Sequence, residues 1–293
     1  MKHLTNLTIA AGVFLFTKLY ADAISFNSIE LSGVNLVAHL FVIIFVIQWI
    51  AYIPAFIFKT EKFYDLTGSI TYISAIAFAL YSTNDSQSLD LGSLIIGAAI
   101  IIWAVRLGSF LFIRVHKDKK DGRFDSIKTS FSQFFMTWTL QGMWVFICSS
   151  AALIAIANPS GVVINSIFVF GLVLFILGFV VEVIADNQKS AFRSIPENKD
   201  AFINEGLWAR SRHPNYFGEI TLWTGITVMG ISTFEGMNYL ALFSPIFTYL
   251  LLNYVSGVRM VEYRGNKKWG HLDDYNAYIK NTPKLIPSLA SKK

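Results

Sequence analysis

Eight stretches of this chain are long and apolar enough, or nearly so, to cross a lipid bilayer, which takes about 20 residues in a helix. They cover approximately residues 4–20, 34–58, 66–81, 91–113, 131–157, 162–185, 216–233 and 238–257. In hydrocarbon every backbone amide must find its partner within the protein, so each stretch reads as a helix and the chain as an all-α polytopic bundle. The third stretch is the shortest, which implies little tilt or a partly interfacial position. Charged residues make up only 15% of the chain against about 25% in an average soluble domain, as a membrane-embedded chain requires.

The connections between the stretches alternate in charge. Segments 59–65, 114–130, 186–215 and 258–293 hold two, six, five and eight Lys or Arg, whereas 21–33, 82–90, 158–161 and 234–237 hold none. Cytoplasmic loops carry the excess of Lys and Arg, so the alternation puts the first group and the C-terminus inside, in a bacterial inner membrane by expectation. The net charge of +5 then belongs to membrane topology and argues against a nucleic-acid partner. Residues 1–33 read as an extra N-terminal hydrophobic segment before a single domain over 34–293. Lys2, a short apolar run and Ala21-Asp22-Ala23 also suit a signal peptide, although Lys18 interrupts the run where such a peptide stays apolar. Cys148 is the single cysteine, which excludes a disulfide within the chain.

Polar residues with chemical potential gather near the cytoplasmic ends of the last three stretches. Glu182, Asp186 and Arg193 share one face if the sixth helix continues past the headgroups. An acid within a span is costly and usually faces the bundle interior or a water-filled cavity; the plainer reading is a solvated helix end. Pro214 suits the first position of the seventh helix, where its missing N–H costs nothing. The exposed amides of that helix start, beside Arg210, Arg212 and His213, would suit a phosphate or carboxylate, although arginines so placed could also only anchor the helix to anionic lipid. Asn215 and Glu219 lie one turn apart behind the proline. The tail adds Glu262, Arg264, Lys267, Lys268, Trp269, Tyr275 and Tyr278, a mixture that could cover a cofactor or lie on the bilayer.

The run Asp186 to Arg193, Gly206-Leu207-Trp208, Arg212-His213-Pro214-Asn215-Tyr216-Phe217-Gly218-Glu219, and the tail from Glu262 through Tyr275, Tyr278 and Ile286-Pro287 resemble the bacterial membrane branch of the steroid 5α-reductase-like family. Trp103-Ala104-Val105-Arg106-Leu107 and Arg123 extend the resemblance forward. It implies a seven-span core, with the first segment as an addition, and NADPH bound at the cytoplasmic face. Carried over by position, it makes Asp186, Arg193, Asn215 and Glu219 cofactor contacts, with Glu182 at a cofactor position where steroid reductases carry an Asn and Arg193 a partner for the ribose 2′-phosphate. Arg210, Arg212, His213 and Arg264 join them from the reading of the residues themselves, because a dinucleotide phosphate needs more than one cation. No Gly-x-Gly-x-x-Gly follows a strand, so the helix ends must do this work.

Steroid reductases hold the substrate carbonyl with a glutamate and a tyrosine from early spans, and by position Asp65 and Trp103 stand there. Trp donates one hydrogen bond but cannot deliver a proton, which leaves Tyr64 or Asp65 as the candidate acid. Arg106, the cation deepest in a span, either snorkels or partners Asp65 or the substrate.

The activity expected is reduction, by NADPH, of a carbon–carbon double bond conjugated to a carbonyl in a lipophilic, steroid- or isoprenoid-like substrate. The alternative is an S-adenosylmethionine-dependent methyltransferase of the isoprenylcysteine or phospholipid type, which Arg212-His213-Pro214-x-Tyr216-x-Gly218 and Tyr275-x-x-Tyr278 also resemble. That family commonly pairs two glutamates in the tail, whereas Glu262 is followed by Tyr263. A transporter is disfavoured by the lack of mid-span acids and of paired broken helices in two matching halves. His3, His39, His116, His213 and His271 have no ligand spacing, so no metal is expected.

Overall fold

The computed structural model describes residues 1–118 and 121–288. Lys119, Lys120, Lys292 and Lys293, counted among the loop cations above, lie outside the described residues. The chain forms two compact units, the first from residues 1–168 and 229–244, the second from 169–228 and 245–293.

The first unit opens with α1 (Lys2–Ile24) and a two-residue-strand hairpin, β1 (Glu30–Leu31) and β2 (Val34–Asn35). Ser32 and Gly33 between them both have positive φ, 52° and 76°, the pairing that a tight hairpin turn of this twist demands. Next come α2 (Leu36–Ile57), α3 (Tyr64–Ser86), α4 (Leu91–Asp118) and α5 (Phe131–Ile156). Helix α5 is the buried post: every residue from Val145 to Ile156 is enclosed, and α1, α2 and α3 pack around it. Phe41, Phe45 and Phe146 fill the interior with edge and tilted ring contacts. Interhelical hydrogen bonds supply what hydrocarbon cannot. Gln48 donates to Thr71 at 2.9 Å, Trp49 to Thr139 at 3.2 Å, and Tyr20 pairs with Ser150 at 3.0 Å. The third span, read as short, is a 23-residue helix, because polar turns at both of its ends extend it beyond the apolar run.

The second unit rests on α6 (Ser166–Ser194) and α7 (Pro214–Gly230). They run antiparallel at backbone contact. A Cβ on Gly178 would lie 2.6 Å from the Gly218 carbonyl oxygen, one on Gly218 2.7 Å from the Glu182 amide, and one on Gly225 2.6 Å from the Gly171 oxygen. Glycines spaced by seven on both helices therefore permit the approach, the small-residue packing that substitutes in lipid for hydrophobic drive. The other side of α6 leaves Val173, Ile176, Leu177, Val180 and Ile184 exposed, an apolar stripe for lipid.

The last predicted span, 238–257, is not one uniform helix. A 3-10 turn (Gly236–Leu242), α8 (Phe243–Leu250), a π-helical turn (Leu251–Val255), α9 (Val258–Trp269) and finally α10 (Asp273–Asn281) follow in order. Among the described residues seven helical segments are long and apolar enough to cross a membrane, and the chain is an integral multi-pass bundle. Helix α7 has 17 residues, about 26 Å at 1.5 Å per residue, close to the hydrocarbon thickness.

Candidate functional site

Helix α6 does continue past its apolar run, to Ser194. Glu182 and Asp186 are buried, 2% and 7% exposed, while Arg193, two turns on along the same face, reaches the exposed end. The chain returns through Gly206, whose φ of +58° a side chain would resist, into a 3-10 turn at Gly206–Ala209. That turn is tied to α6 three times. Gln188 accepts the Leu207 amide at 2.9 Å, Trp208 Nε1 donates to the Ala185 carbonyl at 3.0 Å, and Lys189 Nζ lies 4.4 Å from the Trp208 ring centre.

The Arg212-His213-Pro214 segment is then clamped by the C-terminal strand of chain. Arg212 N donates to Pro283 O at 2.9 Å, and the Ser211 hydroxyl donates to Leu285 O at 2.7 Å. Helix α7 starts at Pro214, as its sequence implied. Glu262, from α9, joins the clamp: its Oε1 lies 2.8 Å from Arg212 Nη1 and 3.2 Å from His213 Nε2. Burial, outweighing the pull of the Glu262 carboxylate, holds the His213 pKa below its ordinary 6.5. Burial likewise raises Tyr275 and Tyr278, and the Tyr278 hydroxyl donates to Trp208 O at 2.8 Å.

These groups bound a cavity of about 100 Å³ with Lys189, Arg193, Arg212, His213 and Glu262 in its wall. Aromatic rings of Phe202, Trp208, Tyr275 and Tyr278 close it. A larger open groove of about 1020 Å³ shares Phe192, Ala201, Phe202 and Tyr278 with the cavity, and its charged lining residues are acidic: Glu197, Asp200 and Asp274.

Of the residues singled out in the sequence, Arg193, Arg212 and His213 come together at the cavity. Asp186 and Asn215 meet as a pair, with Asn215 Nδ2 donating to Asp186 Oδ1 at 3.3 Å. Glu182 lies one turn before Asp186, and Glu219, half-buried, one turn beyond Asn215. Arg210 and Arg264 are exposed and do not bound the cavity; Arg210 Nη1 donates to Ser288 O at 3.4 Å. Two buried polar atoms here have no hydrogen-bond partner in the protein, Arg212 Nε and Asn215 Oδ1. Glu262 and Lys189 received no role from the sequence. Both stand within the motifs that drew attention, but their direction toward Arg212 and Trp208 depends on tertiary packing.

The proposed acids belong to the first unit. Tyr64 donates to Thr137 O at 3.1 Å, and its ring packs against Phe124 and Trp138. The ion pair of Asp65 is with Arg123, at 3.5 Å, and Arg123 also grips Asp121 through Nε at 2.8 Å. Burial raises the Asp121 carboxyl, but the Arg123 hydrogen bond and charge outweigh it, leaving the pKa below the usual range. Arg106 lies 5.0 Å from the Phe110 ring centre, and Arg123 is an ion-pair partner of Asp65. Trp103 is buried edge-on against Tyr72, two turns along α3 from Asp65, and so is not gathered with Tyr64 and Asp65.

A model of the family described as protein of unknown function (DUF1295) matches residues 51–282, from within α2 through α10. No curated protein and no solved structure matches the chain.

Proposed function

We propose that this chain, which belongs to the DUF1295 family, is a membrane-embedded NADPH-dependent reductase of a carbon–carbon double bond conjugated to a carbonyl in a lipophilic substrate. The observation that carries the reading is the cationic, aromatic-walled cavity. Lys189, Arg193 and Arg212 converge on one small space, and two polar atoms of residues expected to touch the cofactor, Arg212 Nε and Asn215 Oδ1, are buried without partners. Buried polar groups are nearly always satisfied, so such atoms mark where a ligand's own polar groups would be met. The family's relation to steroid 5α-reductase-like proteins points the same way.

The donor set fits a dinucleotide phosphate in kind. Arginine forks suit phosphate oxygens, and the Asp186–Asn215 pair offers an acceptor and an amide for ribose or carboxamide groups. When bound, the reduced nicotinamide supplies the hydride. The chain would hold the phosphates through Arg193 and Arg212, orient the remainder with Asp186, Asn215 and Glu219, and exclude water with its aromatic rings. A hydrogen-bond donor must stabilise the enolate that develops on the substrate oxygen, the same physics as an oxyanion hole.

One observation favours the methyltransferase alternative: the acidic groove beside the cavity suits the cationic sulfonium and ammonium of S-adenosylmethionine. Incubating purified protein in lipid nanodiscs with reduced cofactor deuterated at the nicotinamide C4, and a panel of lipophilic enones, separates the readings. Deuterium at the β-carbon of one enone supports the reductase. Transfer of labelled methyl from S-adenosylmethionine to a lipid or thiol acceptor, with no deuterium transfer, overturns it.

A further inference from the structure

The cavity that Arg212 and His213 bound already contains an anion, and it is the protein's own. Glu262 Oε1 lies 2.8 Å from Arg212 Nη1 and 3.2 Å from His213 Nε2, so one carboxylate oxygen serves both groups. The Glu262 side chain is 24% exposed and that of Arg212 13%, so the pair is largely shielded from water and its strength is not lost to screening. The same two groups are the ones a ligand phosphate would use, since an arginine fork and an imidazole N–H bind carboxylate and phosphate oxygens alike. The space is also small: about 100 Å³, against roughly 300–1000 Å³ for ordinary small-molecule pockets. A phosphate-bearing ligand therefore cannot simply be added to this arrangement; something must leave. Glu262 is the member that can leave as a unit. It rides on α9, and the helical run that carries α9 is broken just before it by the π-helical turn Leu251–Val255, the kind of irregularity that recurs at functional sites.

We propose that Glu262 is a built-in competitor for the ligand phosphate, an internal carboxylate that occupies the Arg212–His213 seat and is exchanged for the incoming anion. The proposal rests on the reading that this cavity receives a phosphate-bearing ligand, without requiring that ligand to be NADPH. Exchange of one anion for another keeps a negative group against Arg212, so that buried cation is not left uncompensated once the ligand is seated. It also sets the affinity. Part of the ligand's attraction is spent on displacing Glu262, which keeps the site selective for ligands with a strongly charged group.

The test is calorimetric titration of purified protein with inorganic pyrophosphate and, separately, with NADPH. Glu262→Gln keeps the size and removes the competing charge, so pyrophosphate should bind on the order of tenfold tighter than to the unmodified protein. Glu262→Asp keeps the charge but draws it back by one methylene, and should give a smaller tightening; it carries the test if the glutamine variant does not fold. Arg212→Ala should abolish pyrophosphate binding in either background. Tighter pyrophosphate binding with no NADPH binding to any variant supports the internal competitor and removes the dinucleotide reading instead. Unchanged or weaker pyrophosphate binding in folded Glu262 variants overturns the proposal, because a bracing glutamate loses affinity when removed and a competing one gains it.

Discussion

Asn215 Nδ2 donates to Asp186 Oδ1 at 3.3 Å, which joins the start of α7 to the C-terminal part of α6 through two residues that the family resemblance implies as cofactor contacts. The bond uses one arm of the amide; Asn215 Oδ1 is buried without a protein partner. Asn215 thus braces and still presents an acceptor. Asn215→Asp would set a second carboxylate against Asp186 and should lower thermal stability by about 1–3 kcal/mol, while Asn215→Ala should cost less. Equal melting temperatures for Asn215→Asp and the unmodified protein would contradict the pairing.

Glu219, one turn further along α7, is expected to act on the ligand. Glu219→Gln should leave stability without cofactor nearly unchanged and reduce the stabilisation that saturating NADPH adds. A drop of roughly 3–5 kcal/mol without cofactor, with an undiminished NADPH shift, would instead assign Glu219 to a buried structural pair.

The glycine contacts between α6 and α7 fix where those acids stand. A methyl group at position 218 would meet the Gly178 oxygen at 2.6 Å and the Glu182 amide at 2.7 Å, both backbone and unable to rotate away. Gly218→Ala should therefore cost about 1–3 kcal/mol and, by shifting Glu182, weaken ligand binding as well. Thermal melts with and without NADPH read both effects.

Stability should also depend on pH through His213. Its pKa is lowered in the folded protein relative to the ordinary 6.5, so the fold prefers the neutral ring. That preference contributes stability above pH 6.5, and the contribution is lost as pH falls through the depressed folded-state value. The melting temperature of the unmodified protein should fall more steeply below pH 6.5 than that of His213→Gln. Parallel curves would show that His213 is not the group responsible.

The alternating loop charge predicts the orientation. Ser126 is exposed in the connection between α4 and α5, which by its excess of Lys and Arg is expected in the cytoplasm. In a Cys148→Ser background, a cysteine introduced at 126 should resist an impermeant thiol reagent added to intact cells and react after lysis. Reaction in intact cells would invert the topology.

Much of this architecture was legible in the sequence because hydrocarbon thickness and backbone satisfaction leave so little freedom. The spans α1, α2, α4, α5 and α6 stand where the apolar runs predicted them, and Pro214 opens α7. Hydropathy does not encode hydrogen-bond register, which is why the run after Gly236 stands as the predicted apolar span yet passes through 3-10, α and π geometry in turn. The candidate site was legible as a set of residues and not as an arrangement. Arg193, Arg212 and His213 do meet, but the tie of Glu262 to Arg212 and His213, and of Asp65 to Arg123, joins segments tens of residues apart and leaves no local signature. The seven-residue spacing of Gly171 with Gly178 and of Gly218 with Gly225 was a readable signal for the α6–α7 contact.

The measurement that bears most directly on the proposed function is equilibrium binding of NADPH, NADH and S-adenosylmethionine to the purified protein and to Arg193→Ala. Arg193 bounds the cavity from the end of α6, two turns from Asp186, where a charge-assisted bond to the 2′-phosphate would be worth about tenfold in affinity. NADPH should bind more tightly than NADH, Arg193→Ala should remove most of that difference, and S-adenosylmethionine should not compete. Saturable binding of S-adenosylmethionine with no detectable binding of NADPH would contradict the proposed function.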